Sequence, residues 1–180
     1  LDLIHQESTR AGAIIRNLSR FGRQTGSTPV AVQLTEVISS VIELRQRRLV
    51  EQKIRLERDE QATQPARAVF TELQQVALNF VINAEQSVRS CDPAGRQIIL
   101  RTRDEENAVR LEVEDSGAGV SAENEAKLFQ PFFTTKPVGE GTGLGLSVSY
   151  GIIRSLGGTI GYRRGTLGGA VFFFTVPIFG

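Results

Sequence analysis

Apolar residues recur along the chain with two different periods, and the points where the period changes divide it into elements. Leu1, Ile4, Ser8, Ala11, Ile15 and Leu18 set small or apolar side chains at alternating steps of three and four, the seam of a coiled coil or helical bundle. Ile14 and Phe21 widen that stripe. One helix of this length cannot bury it alone, so a second helix and a second subunit are expected. The segment QTGSTP (24–29) reads as a linker. A short strand follows near Val30 to Gln33, then a helix from Thr35, its expected cap, to Arg48. KIRLER (53–58) alternates as a strand does, and PARAV reads as a shorter one. The spacing predicts a long helix from Thr71 to Arg89 and strands over 96–103 and 108–116, joined by the polar turn DEEN. A short helix over 122–128, a loop tethered at one end and mobile at the other, and a helix from Gly143 to Leu156 come next. GTIGYRR and GGAVFFFTVP close the pattern as a hairpin. Strands grouped with helices outside the strict alternation of a parallel sheet predict an α+β fold, a mixed sheet with helices on one face.

Composition narrows the class of function. The 180 residues are 40% hydrophobic and 23% charged, ordinary for a globular protein, and no apolar run approaches the roughly 20 residues of a membrane span. A net charge of +1 argues against a nucleic-acid binder working by bulk charge. The first residues lack the basic-then-apolar order of a signal peptide. A lone cysteine, Cys91, and a lone histidine, His5, exclude an internal disulfide and a zinc cluster, and fit a reducing, cytoplasmic setting. With no methionine, not even at position 1, the chain reads as a piece of a longer protein.

Three stretches carry chemistry. In ELQQVALNFVINAEQSV (72–88), Glu72, Gln75, Asn79, Asn83 and Gln86 fall in one narrow stripe of an otherwise apolar helix, with Asn79 and Asn83 one turn apart. Buried amides without partners would cost on the order of 1–3 kcal/mol each. They are either core amides bonded to backbone or to each other, or neutral oxygens completing the shell of a Mg²⁺ held mainly by substrate phosphates. In EDSGAGV (114–120), Asp115 ends a strand, and Gly117 and Gly119 let the backbone turn sharply. The pattern suits a plain turn, or a flat ligand whose exocyclic amine donates to the carboxylate. In LFQPFFTTKPVGEGTGLGL (128–146), Phe129, Phe132 and Phe133 anchor a loop bearing Lys136, one of three lysines, whose flexible ammonium suits a phosphate. Gly141, Gly143 and Gly145 then open a helix whose first N–H groups attract anions. This is neither a Walker loop nor a dinucleotide fingerprint, because no strand leads straight into it.

Together these stretches resemble the catalytic ATP-binding domain of sensor histidine kinases, in the superfamily that includes gyrase, the Hsp90 chaperones and MutL. The asparagine box is QVALNFVINA, the first glycine box DSGAG, the phenylalanine box FQPFF with TTK, and the second glycine box GTGLGL, in the family's order over roughly residues 30–177. The resemblance implies a two-layer α/β sandwich over 27–180, preceded by residues 1–26 as the second helix of a dimerisation hairpin. It implies ATP and Mg²⁺ as ligands, with Asn83 on the metal and Asn79 beside it. Asp115 would take the adenine amino group and Gly117 and Gly119 make room for the base. Lys136 with the Gly141–Gly145 segment would hold the phosphates. Gln86, Phe133, Thr135, Thr142, Gly143, Leu144 and Leu146 would complete the nucleotide contacts, with Asn79 and Lys136 assisting transfer. ATP-hydrolysing relatives carry a glutamate general base where this chain has Asn79, which cannot take a proton, so transfer to another nucleophile is expected. The phosphoacceptor helix is missing, and His5, in HQESTRAG, lacks the adjacent acid and the following proline. A response regulator receiver domain and, in the parent protein, a second copy are the implied partners, without nucleic acid and with any membrane contact made by missing parts. Phe70 stands where many relatives have aspartate, and Gln86 where many have a basic residue. A degenerate nucleotide-binding scaffold and an ATPase or serine kinase are the alternative readings.

Overall fold

The structure, a computed structural model, describes residues 28–137 and 141–180. The expected dimerisation helix over 1–26 and the middle of the glycine-rich loop, 138–140, lie outside the described residues. Strand β1 (Val30–Val32) leads into helix α1 (Leu34–Glu51), followed by β2 (Arg55–Glu60), β3 (Ala66–Ala68) and α2 (Phe70–Ser87). Then come β4 (Gln97–Asp104), β5 (Ala108–Asp115), the short α3 (Ala122–Glu125), α4 (Gly145–Ser155), β6 (Thr159–Arg164) and β7 (Ala170–Pro177). Five strands form one mixed sheet in the order β2-β4-β5-β7-β6, parallel only between β2 and β4. β1 and β3 form a separate antiparallel pair, tied to the end of β7 through a bridge between Ala66 and Ile178.

Alternation along the strands produces the two layers. Ile98, Leu100 and Thr102 of β4 and Val109, Leu111 and Val113 of β5 turn into a core shared with Leu73, Val76, Ala77, Phe80 and Val81 of α2 and Val148, Ile152 and Ile153 of α4. Phe80 sits at its centre, 5.6 Å from the Phe172 ring and 6.3 Å from that of Phe174. The intervening positions carry charge. Arg101 pairs with Glu114 at 2.5 Å, Arg103 with Asp59 at 2.5 Å and Arg163 with Glu112 at 2.8 Å, while Arg110 lies 4.4 Å over Phe173. These pairs give the helix-free face of the sheet a polar cover that discourages stacking.

Helix boundaries depart from expectation at several points: α1 runs on to Glu51 past the expected Arg48, and the short helix expected over 122–128 ends at Glu125. Helix α1 begins at Leu34 behind Gln33, so Thr35 is inside the helix and does not cap it, and no side chain caps that end. Helix α2 stops at Ser87, and Val88–Ser90 tighten into a 3₁₀ turn where the α-helix was expected to reach Arg89. Helix α4 starts at Gly145 rather than Gly143, because Gly143 has φ +66°, a left-handed conformation that cannot continue a right-handed helix. A Cβ at Gly143 would also lie 2.4 Å from the Phe132 carbonyl carbon.

Candidate nucleotide-binding site

Helix α2 organises the site, because its polar stripe faces α4, the loop bearing Lys136 and the end of β5 in turn. Asn79 donates its amide to the Gly145 carbonyl and to Ser149 Oγ, both at 3.1 Å, and so pins the start of α4. One turn on, Asn83 Oδ1 accepts from Lys136 Nζ at 2.9 Å, and Gln86 Oε1 accepts from the same ammonium. The two asparagines therefore differ in their partners. Asn79 bonds backbone across the core, whereas Asn83 turns its oxygen to a cation. The neutral Gln86 thus has the Lys136 ammonium against it.

Asp115 closes the other end. It is 2% exposed, and its Oδ1 accepts from the Gly117 N–H at 2.8 Å and from Ser87 Oγ at 3.0 Å. Burial pushes its carboxyl above the ordinary aspartate range, a rise that those two donors and the Ala170 N–H oppose and the neighbouring Glu114 charge adds to. Glu114 points to the other face. Burial pushes it up too, but the Leu167 N–H, Arg101 and Thr166 hold it below the usual glutamate range. By accepting from Leu167 N at 2.9 Å and Thr166 Oγ1 at 2.8 Å, Glu114 fastens the β6–β7 turn behind Asp115.

The remaining expected residues are placed unevenly. Gly119, with φ +72°, backs onto the Gly169 carbonyl, and Gly169 in turn abuts Asp115. Phe133, Leu144 and Leu146 pack against the core. Thr142 Oγ1 accepts from the Leu144 N–H at 3.4 Å, and Gly141 lies against Thr134 and Lys136. Thr135 is exposed and none of the contacts among the described residues joins it to the site. Four participants were not foreseen: Ser87, Ser149, Gly169, and Tyr162, whose hydroxyl accepts from the Val120 N–H at 3.3 Å. Ser87 had a signal, since it continues the four-residue step from Asn79 and Asn83. Nothing local marks Gly169 or Tyr162, which reach the site only through sheet pairing.

The donor set can be tested against a divalent metal. Among the described residues no cluster of three or more His, Cys, Asp or Glu could hold a metal by itself. Two neutral side-chain oxygens, from Asn83 and Gln86, nevertheless converge on one cationic nitrogen. Such a set fits a hard cation whose charge is balanced by something other than protein, as phosphates would do.

A mixed sheet under helices, with a buried carboxylate at one end of a helix and paired amides one turn away, defines a two-layer domain of the ATPase type. Residues 68–179 match the model of the histidine kinase-, DNA gyrase B-, and HSP90-like ATPase family, and the chain belongs to that family. Its similarity lies with the catalytic domains of two-component sensor histidine kinases. It is 39% identical over 173 residues to the sensor kinase CckA of Brucella abortus, covering 87% of this chain and 18% of that protein. It is 31% identical over 178 residues to the sensor protein FixL of Bradyrhizobium diazoefficiens, covering 98% of this chain and 35% of that protein. The chain thus spans about a fifth to a third of these curated relatives. Among solved structures, the catalytic domain of the histidine kinase ThkA superposes with a TM-score of 0.74 at 30% identity, covering 84% of this chain and 96% of that one. ThkA in complex with the response regulator TrrA gives a TM-score of 0.78 at 27% identity, covering 98% and 49%. Among the described residues no helix is long and apolar enough to cross a membrane.

Proposed function

We propose that this domain binds Mg·ATP between α2 and the sheet and transfers its γ-phosphoryl group to a histidine on a dimerisation helix of the parent protein. From there the phosphoryl group passes to an aspartate of a response regulator receiver domain. The observation that carries this reading is the placement of Asn83 and Ser87 one helical turn apart, about 6 Å of rise. The first meets Lys136 and the second meets Asp115. One helix thereby spans a phosphate end and a base end.

Each residue has a task in this reading. Asp115 accepts from the exocyclic amine of adenine. Asn83, with Gln86 nearby, would supply neutral oxygen to Mg²⁺, which when bound would offset the charge of the phosphates. Lys136 leaves Asn83 and Gln86 for the phosphates, and the loop from Gly141 to Gly145 follows it. Asn79 keeps α4 in place while the γ-phosphorus–oxygen bond breaks and a phosphorus–nitrogen bond forms on the acceptor imidazole. With both amide hydrogens committed to α4 and no basic atom, Asn79 cannot activate water, which favours transfer over hydrolysis. Homodimerisation through the hairpin and a cytosolic position within the parent belong to the same proposal.

Three outcomes test it. Asp115→Asn places an N–H₂ where adenine needs an acceptor, so ADP affinity should fall about tenfold or more. Inosine diphosphate, which carries a carbonyl at that position, should not weaken. Calorimetry showing equal losses for both would remove the adenine role. The carboxylate accepts most strongly when ionised and gains a competing O–H donor on protonation, so ADP affinity should weaken on acidification at a higher pH than an ordinary aspartate would give. The chain incubated with Mg·ATP should bind nucleotide and gain no phosphate. Phospho-His5 found by mass spectrometry would overturn the assignment of the acceptor to another helix.

A further inference from the structure

We propose that Ser87 is a positioning residue for base selection: by donating its hydroxyl to Asp115 Oδ1 it holds the carboxylate with an acceptor site turned to an exocyclic amine, and so favours amino-purines over oxo-purines. The inference rests on the adenine reading of Asp115 given above.

Helical serines in this fold usually satisfy their hydroxyls locally. Ser40, Ser147 and Ser155 donate to the carbonyl three residues earlier, and Ser149 to the one four earlier. Ser87, the last residue of α2, does not. Its hydroxyl reaches across 28 positions to Asp115 at 3.0 Å. The approach is possible because the facing residue is glycine, as a Cβ on Gly117 would lie 2.0 Å from Ser87 Oγ. Gly117 then adds its own N–H to the same oxygen at 2.8 Å. The pair is built by three elements, the end of α2, the end of β5 and the turn after it.

Chemistry gives the arrangement its consequence. An ionised carboxylate offers about four acceptor sites. Ser87, Gly117 and the Ala170 N–H engage it from the protein side, which fixes its plane and leaves acceptor capacity toward the pocket. An acceptor held there favours a donor such as the adenine amine and repels the carbonyl of hypoxanthine or guanine, since an unpaired buried polar group is costly. Removing the Ser87 hydroxyl leaves Gly117 and Ala170 as the donors. The carboxylate can then turn about its terminal torsion, which is broad and roughly two-fold. Discrimination between the two bases should drop while the contacts to ribose and phosphate persist.

The test is a double-mutant cycle read by calorimetry without metal, using ADP and inosine diphosphate with the chain, Ser87→Ala, Asp115→Asn and the combined variant. Ser87→Ala should lower the ratio of ADP to inosine diphosphate affinity about fivefold through the ADP side alone, and should change nothing further in the Asp115→Asn background. If Asp115→Asn itself leaves the ratio unchanged, the adenine reading fails and this inference falls with it. If Asp115→Asn collapses the ratio while Ser87→Ala preserves it, or weakens both nucleotides alike, or adds a full loss in the Asp115→Asn background, then the assignment to Ser87 alone is overturned.

Discussion

Replacing Asn83 with alanine is expected to weaken Mg²⁺-dependent ATP binding about 100-fold, the upper end of what losing a metal-supporting side chain costs, while metal-free ADP binding changes little. The split follows from the position of Asn83. Its oxygen lies 2.9 Å from Lys136 Nζ, whereas Asp115, proposed for the base, is held by Ser87 one turn further along α2. Alanine keeps the helix, being a better helix former than asparagine, and the side chain is only half-buried, so α2 should persist. Calorimetric titrations with and without Mg²⁺ read the two affinities separately. Equal losses for both ligands would point to damage of the fold and not to a metal role.

Arg45→Ala is expected to destabilise the domain by about 3–5 kcal/mol, which for a chain of this size lowers the thermal midpoint by roughly 10 °C. Arg45 of α1 donates Nε to Glu85 Oε1 at 2.8 Å and Nη2 to Oε2 at 2.5 Å, a two-pronged pair. Glu85 is 1% exposed, so truncating Arg45 strands a carboxylate in the core. That hydrogen bond also raises the Arg45 pKa, ahead of the lowering by burial. Replacing both residues with leucine should restore most of the loss, because a buried ion pair exchanged for apolar contact is often neutral. Thermal melts of the single and double variants check this. A single variant that melts with the unaltered chain would mean Glu85 finds water or another donor. The pair also matters to the site, since Glu85 stands between Asn83 and Gln86 on α2 and fixes how that turn is presented.

Much of this architecture is written in local pattern, and the exceptions are instructive. β4 and β5 declare themselves largely by alternation, whereas β7, buried along nearly its whole length, reads as a continuous apolar run. Alternation predicts β2 over 53–58 because Ile54 extends it, although the ladder begins at Arg55 beside Gln97. Helix starts were less visible. Both α1 and α2 begin behind Gln33 and Val69 without a side-chain cap, so no capping residue announces them. In the site, the asparagines and glycines stand out because amides are costly in an apolar helix and glycine is costly before one. Ser87 could have been found by carrying the four-residue step one turn further. Tyr162 and Gly169 could not, because their roles arise when β6 and β7 bring the turn 165–169 against the loop after β5, a juxtaposition made by strand pairing. The ion pair of Arg45 and Glu85, 40 positions apart, is equally a product of packing.

Lys136 gives the nucleotide-binding account its most specific physical content. In the structure its ammonium rests on the two oxygens proposed for the metal side, so under that proposal metal-bound nucleotide would compete with the lysine for Asn83 and Gln86. Arrival of a phosphate chain offers Lys136 a stronger, charged partner. Gly143, in a left-handed conformation that α4 cannot absorb, stands just before that helix. The most direct measurement is a calorimetric titration of the chain with ATP and with GTP in the presence and absence of Mg²⁺. The account predicts saturable ATP binding that Mg²⁺ strengthens, and markedly weaker GTP binding. Absence of ATP binding at millimolar nucleotide, or equal affinity for both bases, would contradict it.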